Sequence, residues 1–286
     1  MRNNFKKIKK IYLKILIFKP KILSTILFIP FLYLLGWILA KAIFLIDLNN
    51  QNISLIGTII TFSIFLISLP KWFELRWGLV NTWELVGINK IHKREIIYFI
   101  KGLLFSIALM LIILVPILKN NSANWLGNIS SDILINAIVL MMGVGFAEEL
   151  IFRGWLFEEL KNQFGLKKAL IFQGLIFSLV HIGFNMPFIE MTSILIGLFL
   201  LGILLALFRL KSNNSLWGCV GLHGGLVGGW FLINNGLFQI SKDAPSWLVG
   251  PGNVNTNPLG GIVGIILLIS LCFFYLVRLR IFLIIK

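Results

Sequence analysis

Acidic residues are scarce in this chain, and cysteine is nearly absent. Eleven Asp and Glu stand against 26 Lys and Arg, and only Cys219 and Cys272 occur in 286 residues. Both cysteines lie in apolar segments. They read as small packing residues and support neither a disulfide framework nor a metal knuckle. Charge of either sign is thin: 13% of residues are charged, 58% are hydrophobic, and the mean hydropathy is +0.94. A soluble domain of this length requires far more polar surface, so lipid covers much of the exterior. No small-residue cleavage site follows the first apolar run, as a cleavable signal peptide requires. No basic-aromatic module accompanies the net charge of +15, which argues against a nucleic-acid partner. No inverted repeat of halves is evident, which weakens a transporter reading.

What the chain has in abundance is apolar runs. A spanning helix needs about 20 apolar residues. Runs of that kind are expected near 22–46, 53–70, 96–118, 131–151, 169–187, 191–208, 215–237 and 259–277, with Pro70 ending the second. The expected fold is therefore all-α, a polytopic transmembrane helix bundle of about eight spans. Residues 2–21 carry eight Lys or Arg and no acid, with Ile8, Ile11, Tyr12, Ile15 and Leu16 near helical spacing. This predicts a basic amphipathic segment over 1–21 on an anionic membrane surface, or a basic tail that orients the first span. Trp72, Trp77 and Trp83 place the 71–95 connection at the headgroup level. With both termini cytoplasmic, 23 of the 26 Lys and Arg fall on the inner side. Lys41, Lys119 and Lys242 remain. That asymmetry follows the positive-inside rule and explains the basicity by topology. Four parts are expected: 1–21 on the membrane surface, 22–125 as N-terminal spans, 126–240 as a core, and 241–286 as an outer loop and last span. The polar loop 238–258 is expected to fold over the outer mouth.

Polar residues inside the spans carry the chemistry. Glu148 and Glu149 follow a long apolar stretch, although a charge at a span centre costs about 2.5–3.5 kcal/mol on insertion scales. Glu149 and Arg153 are four apart and share a helix face, so they can pair. Glu148 is turned about 100° away and is the freer carboxylate. An interfacial helix end with snorkelling charges is the plainer reading. His181 lies within the fifth span, with Phe177 one turn before and Asn185 one turn after on its face. His223 lies in the seventh, among Gly221, Gly224, Gly225, Gly228 and Gly229. Each histidine can also be simple interhelical glue, and the glycines a packing face. Together, Glu148, His181 and His223 can meet in the cytoplasmic half, where a carboxylate and two imidazoles form a hydrolytic constellation.

Three stretches in order, EELIFR from Glu148 to Arg153, FSLVH from Phe177 to His181, and HGGLV from His223, resemble the CAAX-protease and bacteriocin-processing (Abi) family of intramembrane glutamic endopeptidases. The resemblance covers roughly 130–235. The stretches SLWGCVGLHGGLVGGW and WLVGPG with NPLGG also resemble the branch of photosynthetic bacteria and plastids. The resemblance implies a multi-pass protein of a bacterial inner or thylakoid-type membrane, surrounded by lipid. It implies metal-free hydrolysis of a peptide bond in a peptide or membrane-protein substrate, without a cofactor. Glu148 is then the general base, His181 holds the water, Arg153 positions Glu148 and Glu149, and His223 helps to stabilise the oxyanion. Phe177 and Asn185 are the expected substrate-binding residues. The family's third motif ends in Asn or Asp, but here Val227 stands at that position and donates no hydrogen bond. Loss of one oxyanion donor costs about 2.7–4 kcal/mol, with Asn185 and Asn234 as candidate substitutes.

Three other readings stay open. A non-catalytic membrane adaptor on the same fold accounts for Val227. A zinc hydrolase could use Glu148, Glu149, His181 and His223 as ligands. A transporter would depend on the same acids.

Overall fold

The computed structural model describes residues 22–43, 50–88, 92–181, 186–252 and 256–281. The basic segment expected over 1–21 lies outside these residues, as does Asn185. The fold is all-α and polytopic. Among the described residues, five helices are long and apolar enough to cross a membrane: Ile22–Ala42, Ile53–Trp77, Lys93–Lys119, Ser131–Phe164 and Phe188–Lys211. The chain divides into two compact units, one up to Leu85 and one from Val86.

The first unit holds α1 (Ile22–Ile43), α2 (Asn50–Trp77) and the short α3 (Thr82–Leu85). Pairs along α1 and α2 run in opposite directions, so the two helices are antiparallel. Arg76 bonds Thr25, Phe28 stacks on Trp72 at 4.1 Å, and Gly36 sits against Thr61. A Cβ on Gly36 would lie 2.2 Å from Thr61 Oγ1. Pro70 does not end α2 as expected. It lies inside the helix, which continues to Trp77. One missing backbone donor removes one rung of the ladder, and the Phe28–Trp72 stack beyond it holds the last turns in place.

The second unit carries the site. Its helices are α4 (Lys93–Lys119), α5 (Ser131–Phe164), α6 (Leu166–Val180), α7 (Phe188–Lys211), α8 (217–237), α9 (Ser246–Val249) and α10 (Ile262–Arg278). A two-stranded antiparallel ribbon, Ala123–Trp125 with Phe238–Ile240, joins the end of α4 to the end of α8. At the opposite end of α4, buried Glu95 accepts a hydrogen bond from the Ser215 hydroxyl just before α8. Two departures from the expected spans matter. The fourth span runs on to Phe164 as one helix. The fifth ends at Val180, so His181 caps a helix end instead of lying mid-span.

α8 is the central helix, and its glycines explain how. A Cβ on Gly221 would lie 2.1 Å from Phe99 O, and one on Gly225 would lie 2.2 Å from Ser106 Oγ; both contacts are with α4. On another face, a Cβ on Gly224 would lie 2.1 Å from Met141 O, and one on Gly228 would lie 2.3 Å from Ala137 O, both on α5. Backbone-to-backbone packing of this kind is how helices associate where no hydrophobic effect separates protein from lipid. The same glycines, with His223, dilute the hydropathy of α8.

Candidate active site

Glu148 and Glu149 sit where α5 leaves regular geometry. Residues Leu140–Val144 and Leu150–Leu156 form π turns on either side of them, and Val220–Gly224 in α8 forms another around His223. A π turn changes which residues share a helix face, and such turns recur at functional sites. Here Gly145 packs on Gly224, so that a Cβ on Gly145 would lie 2.6 Å from Gly224 Cα. This close approach brings Glu149 to His223.

The side chains form two linked layers. In the buried layer, Glu149 Oε1 accepts hydrogen bonds from Arg153 Nη1 and from His223 Nδ1, each at 2.7 Å. Glu149 and Arg153 are both 0% exposed. Arg153 also lies over the Phe177 ring, 4.1 Å from its centroid. In the accessible layer, Glu148 Oε2 lies 3.1 Å from His181 Nε2 and 3.8 Å from His223 Nε2. The side chains of Glu148 and His181 are 26% and 29% exposed, so this layer can meet a ligand.

The hydrogen bonds fix the tautomers. His181 Nδ1 lies 2.7 Å from Phe177 O, an acceptor, so Nδ1 carries a proton and donates. His223 Nδ1 donates to the Glu149 carboxylate by the same logic. Both Nε2 atoms therefore turn toward Glu148. Two imidazole lone pairs and a carboxylate repel one another unless a proton or a bound water lies between them. Such an arrangement can share a proton among Glu148, His181 and a third molecule, which is what general acid–base chemistry requires. Among the described residues, no group of three or more His, Cys, Asp or Glu side chains is arranged to hold a metal ion.

A cavity of about 440 Å³ opens onto this layer. Glu148, His181 and His223 line one end, and Asn234, Thr256 and Asn257 line another part. Leu140, Val144, Leu201, Leu226 and Trp230 form apolar wall. Phe177 lies on the wall but is 1% exposed, wedged between Arg153, His181 and His223. Val227 also lines the cavity, one turn beyond His223, and contributes no donor there.

Several of these relations are not evident from the sequence. Arg153 binds Glu149 alone of the two glutamates, and it is Glu149 that orients His223. Beneath them, Arg209 pairs with Glu158 at 3.0 Å and donates to the Arg153 carbonyl. Arg209 and Glu158 are 0% and 2% exposed. In the sequence they pass for ordinary charges at the inner membrane surface. The one hint is a second Glu-Glu pair, Glu158 and Glu159, close after the first on the same helix.

A family model described as type II CAAX prenyl endopeptidase, Rce1-like, matches residues 130–228, and one described as a domain of unknown function, DUF8676, matches residues 5–81. No curated protein and no solved structure matches the chain. The first match takes in α5, α6, α7 and the part of α8 that holds His223, and so the whole two-layer cluster.

Proposed function

Because residues 130–228 belong to the Rce1-like CAAX endopeptidase family, we propose that this multi-pass membrane protein is an intramembrane endopeptidase that hydrolyses a peptide bond with a water activated by Glu148. The observation that carries the proposal is the convergence of Glu148 Oε2 with the Nε2 atoms of His181 and His223 on a cavity wall. Glu148 takes a proton from water, which attacks the substrate carbonyl carbon. His181, whose Nδ1 is held by the Phe177 carbonyl, keeps that water beside Glu148 with its Nε2. His223 Nε2 faces the same space and donates to the oxyanion when protonated. The C–N bond then breaks, and the proton held by Glu148 passes to the leaving amine. Glu149 and Arg153 touch no reacting atom in this scheme. They hold His223 in its tautomer, as a carboxylate behind a catalytic histidine does.

The scheme needs no metal or organic cofactor. The substrate is a prenylated, leader-bearing or membrane-embedded peptide, and the apolar cavity wall suits such a segment. To test the proposal, membrane proteins would be compared between cells producing the wild type and Glu148→Gln at equal levels. The proposal expects peptides released only by the wild type. Equal release from both would remove Glu148 as the base. Wild-type release abolished by a chelator, with stoichiometric metal in the purified protein, would replace the metal-free step.

One observation favours a second reading. Val227 places a donor-free side chain on the cavity wall beside His223. A membrane adaptor on this fold would bind a partner without cutting it. In that case a partner would co-purify with the chain, and its stability would be indifferent to Glu148→Gln.

A further inference from the structure

The cavity extends from the Glu148 cluster in one direction only. Along α8 its lining runs from His223 to Asn235, toward the ribbon strand Phe238–Ile240. Along α5 it runs from Glu148 back to Leu140, toward Ser131. Along α4 it takes in Met110 and Ile113, toward Lys119, and the loop 256–259 completes it. All these directions lead to the same end of the unit, where the ribbon lies. On the other side of the cluster, Glu149, Leu150, Arg153, Cys219 and Val220 are each 0% exposed, and none lines the cavity. The buried Arg209–Glu158 pair lies beyond them. That side is plugged.

The lining changes along its length. His223 is 5% exposed, Val227 is half-buried and Asn235 is exposed, so α8 opens toward the ribbon end. Thr256 lines the cavity at that end, and its hydroxyl is buried with no hydrogen-bond partner among the described residues. Its backbone carbonyl is fixed by Trp230 Nε1 at 2.8 Å. An unpartnered buried hydroxyl is costly unless a ligand completes it.

Charge identifies which end this is. Of the described Lys and Arg in this unit, all but Lys119 and Lys242 lie toward the plugged end. The ribbon end carries Asp132, Glu190 and Asp243 beside those two lysines. By the positive-inside rule the plugged end is cytoplasmic.

We propose that the cavity is loaded from the extracytoplasmic side. The substrate is an extended, largely apolar peptide segment presented at that face, and it passes along α8 to reach Glu148. The inference rests on Glu148 being the reactive centre. From His223 to Asn235 the helix rises about 18 Å, enough for about five residues of extended chain. Thr256 binds a peptide group of that segment near the mouth.

The test is thiol accessibility in intact cells producing the full chain. Cys219 and Cys272 are buried, so the unsubstituted chain serves as the blank. Asn235→Cys reports the mouth, Val227→Cys the middle of the cavity, and Lys167→Cys the opposite end. Asn234→Cys replaces Asn235→Cys if the latter is not produced. A small, charged, membrane-impermeant thiosulfonate should modify the mouth and mid-cavity cysteines without permeabilisation, and Lys167→Cys only after it. Modification of Val227→Cys only after permeabilisation overturns the proposal. So does modification of Lys167→Cys in intact cells, or failure of Val227→Cys to react under either condition. Labelling needs no proteolysis, so its failure is distinguishable from failure of the hydrolytic reading, which Glu148→Gln tests separately.

Discussion

Replacing Arg153 with Met tests whether the buried layer is a charge pair or merely a well-packed contact. Arg153 and Glu149 are both 0% exposed, and the hydrogen bond from Arg153 Nη1 to Glu149 Oε1 is 2.7 Å long. Among the described residues, the Nε and Nη2 atoms of Arg153 have no hydrogen-bond partner, and neither does Glu149 Oε2. Removing either partner therefore strands a charge in a dry interior. Stranding of that kind costs about 3–5 kcal/mol, whereas replacing a whole buried pair with neutral groups is often close to neutral. Arg153→Met leaves Glu149 with only His223. Glu149→Gln keeps an acceptor oxygen for His223 Nδ1 but leaves the guanidinium uncompensated. The double variant removes both charges, and the methionine chain can still cover the Phe177 ring. Each single substitution should therefore lower stability by about 3–5 kcal/mol, and the double by less than the sum, with a coupling of about 2–3 kcal/mol. Reversible unfolding in mixed micelles, followed by tryptophan fluorescence, would measure all three. Single losses below about 1 kcal/mol, or strict additivity, would refute the charge-pair account.

Two further predictions concern packing and chemistry. Gly224→Ala forces its Cβ against Met141 O, which should separate α5 from α8, cost about 1–3 kcal/mol and reduce cleavage by lengthening the Glu149–His223 bond. Gly143→Ala, on the same helix as Met141 with nothing within 4 Å of its Cβ, should be neutral in thermal stability and cleavage assays. Val227→Asn should raise kcat because it adds a donor one turn beyond His223, by up to about a hundred- to thousand-fold if that donor reaches the oxyanion. Val227→Ala should not raise kcat, and equal rates for both in a steady-state assay would place the oxyanion elsewhere.

Much of the fold is legible in the sequence because lipid leaves so few choices. Hydropathy alone marks the long helices, since each must satisfy its own backbone within an apolar run. Helix ends are less legible, for local reasons. Pro70 reads as a stop, yet packing of Phe28 on Trp72 carries the helix past it. His181 reads as mid-span because the apolar run continues through Ile182 and Phe184, but Val180 is the last helical residue. At the candidate site, the intramembrane acids and histidines stand out in the sequence, but their partners do not. Glu149 and Arg153 meet as their four-residue spacing predicts. The Glu149–His223 bond joins helices 74 residues apart, and no periodicity encodes it. It depends instead on Gly145 and Gly224, whose meaning appears only once the two backbones are seen to touch. The π turns are equally silent, because no residue type specifies a wide turn.

Glu148 is proposed to activate the water that cuts a peptide bond inside the membrane. The most direct test of that role is cleavage of a panel of single-span peptides by purified protein in liposomes, in water enriched in oxygen-18 and with a metal chelator present. The wild type should release a fragment whose new carboxylate carries one oxygen-18, and Glu148→Gln, folded and equally abundant, should release none. Labelled product from Glu148→Gln at the wild-type rate would contradict that role.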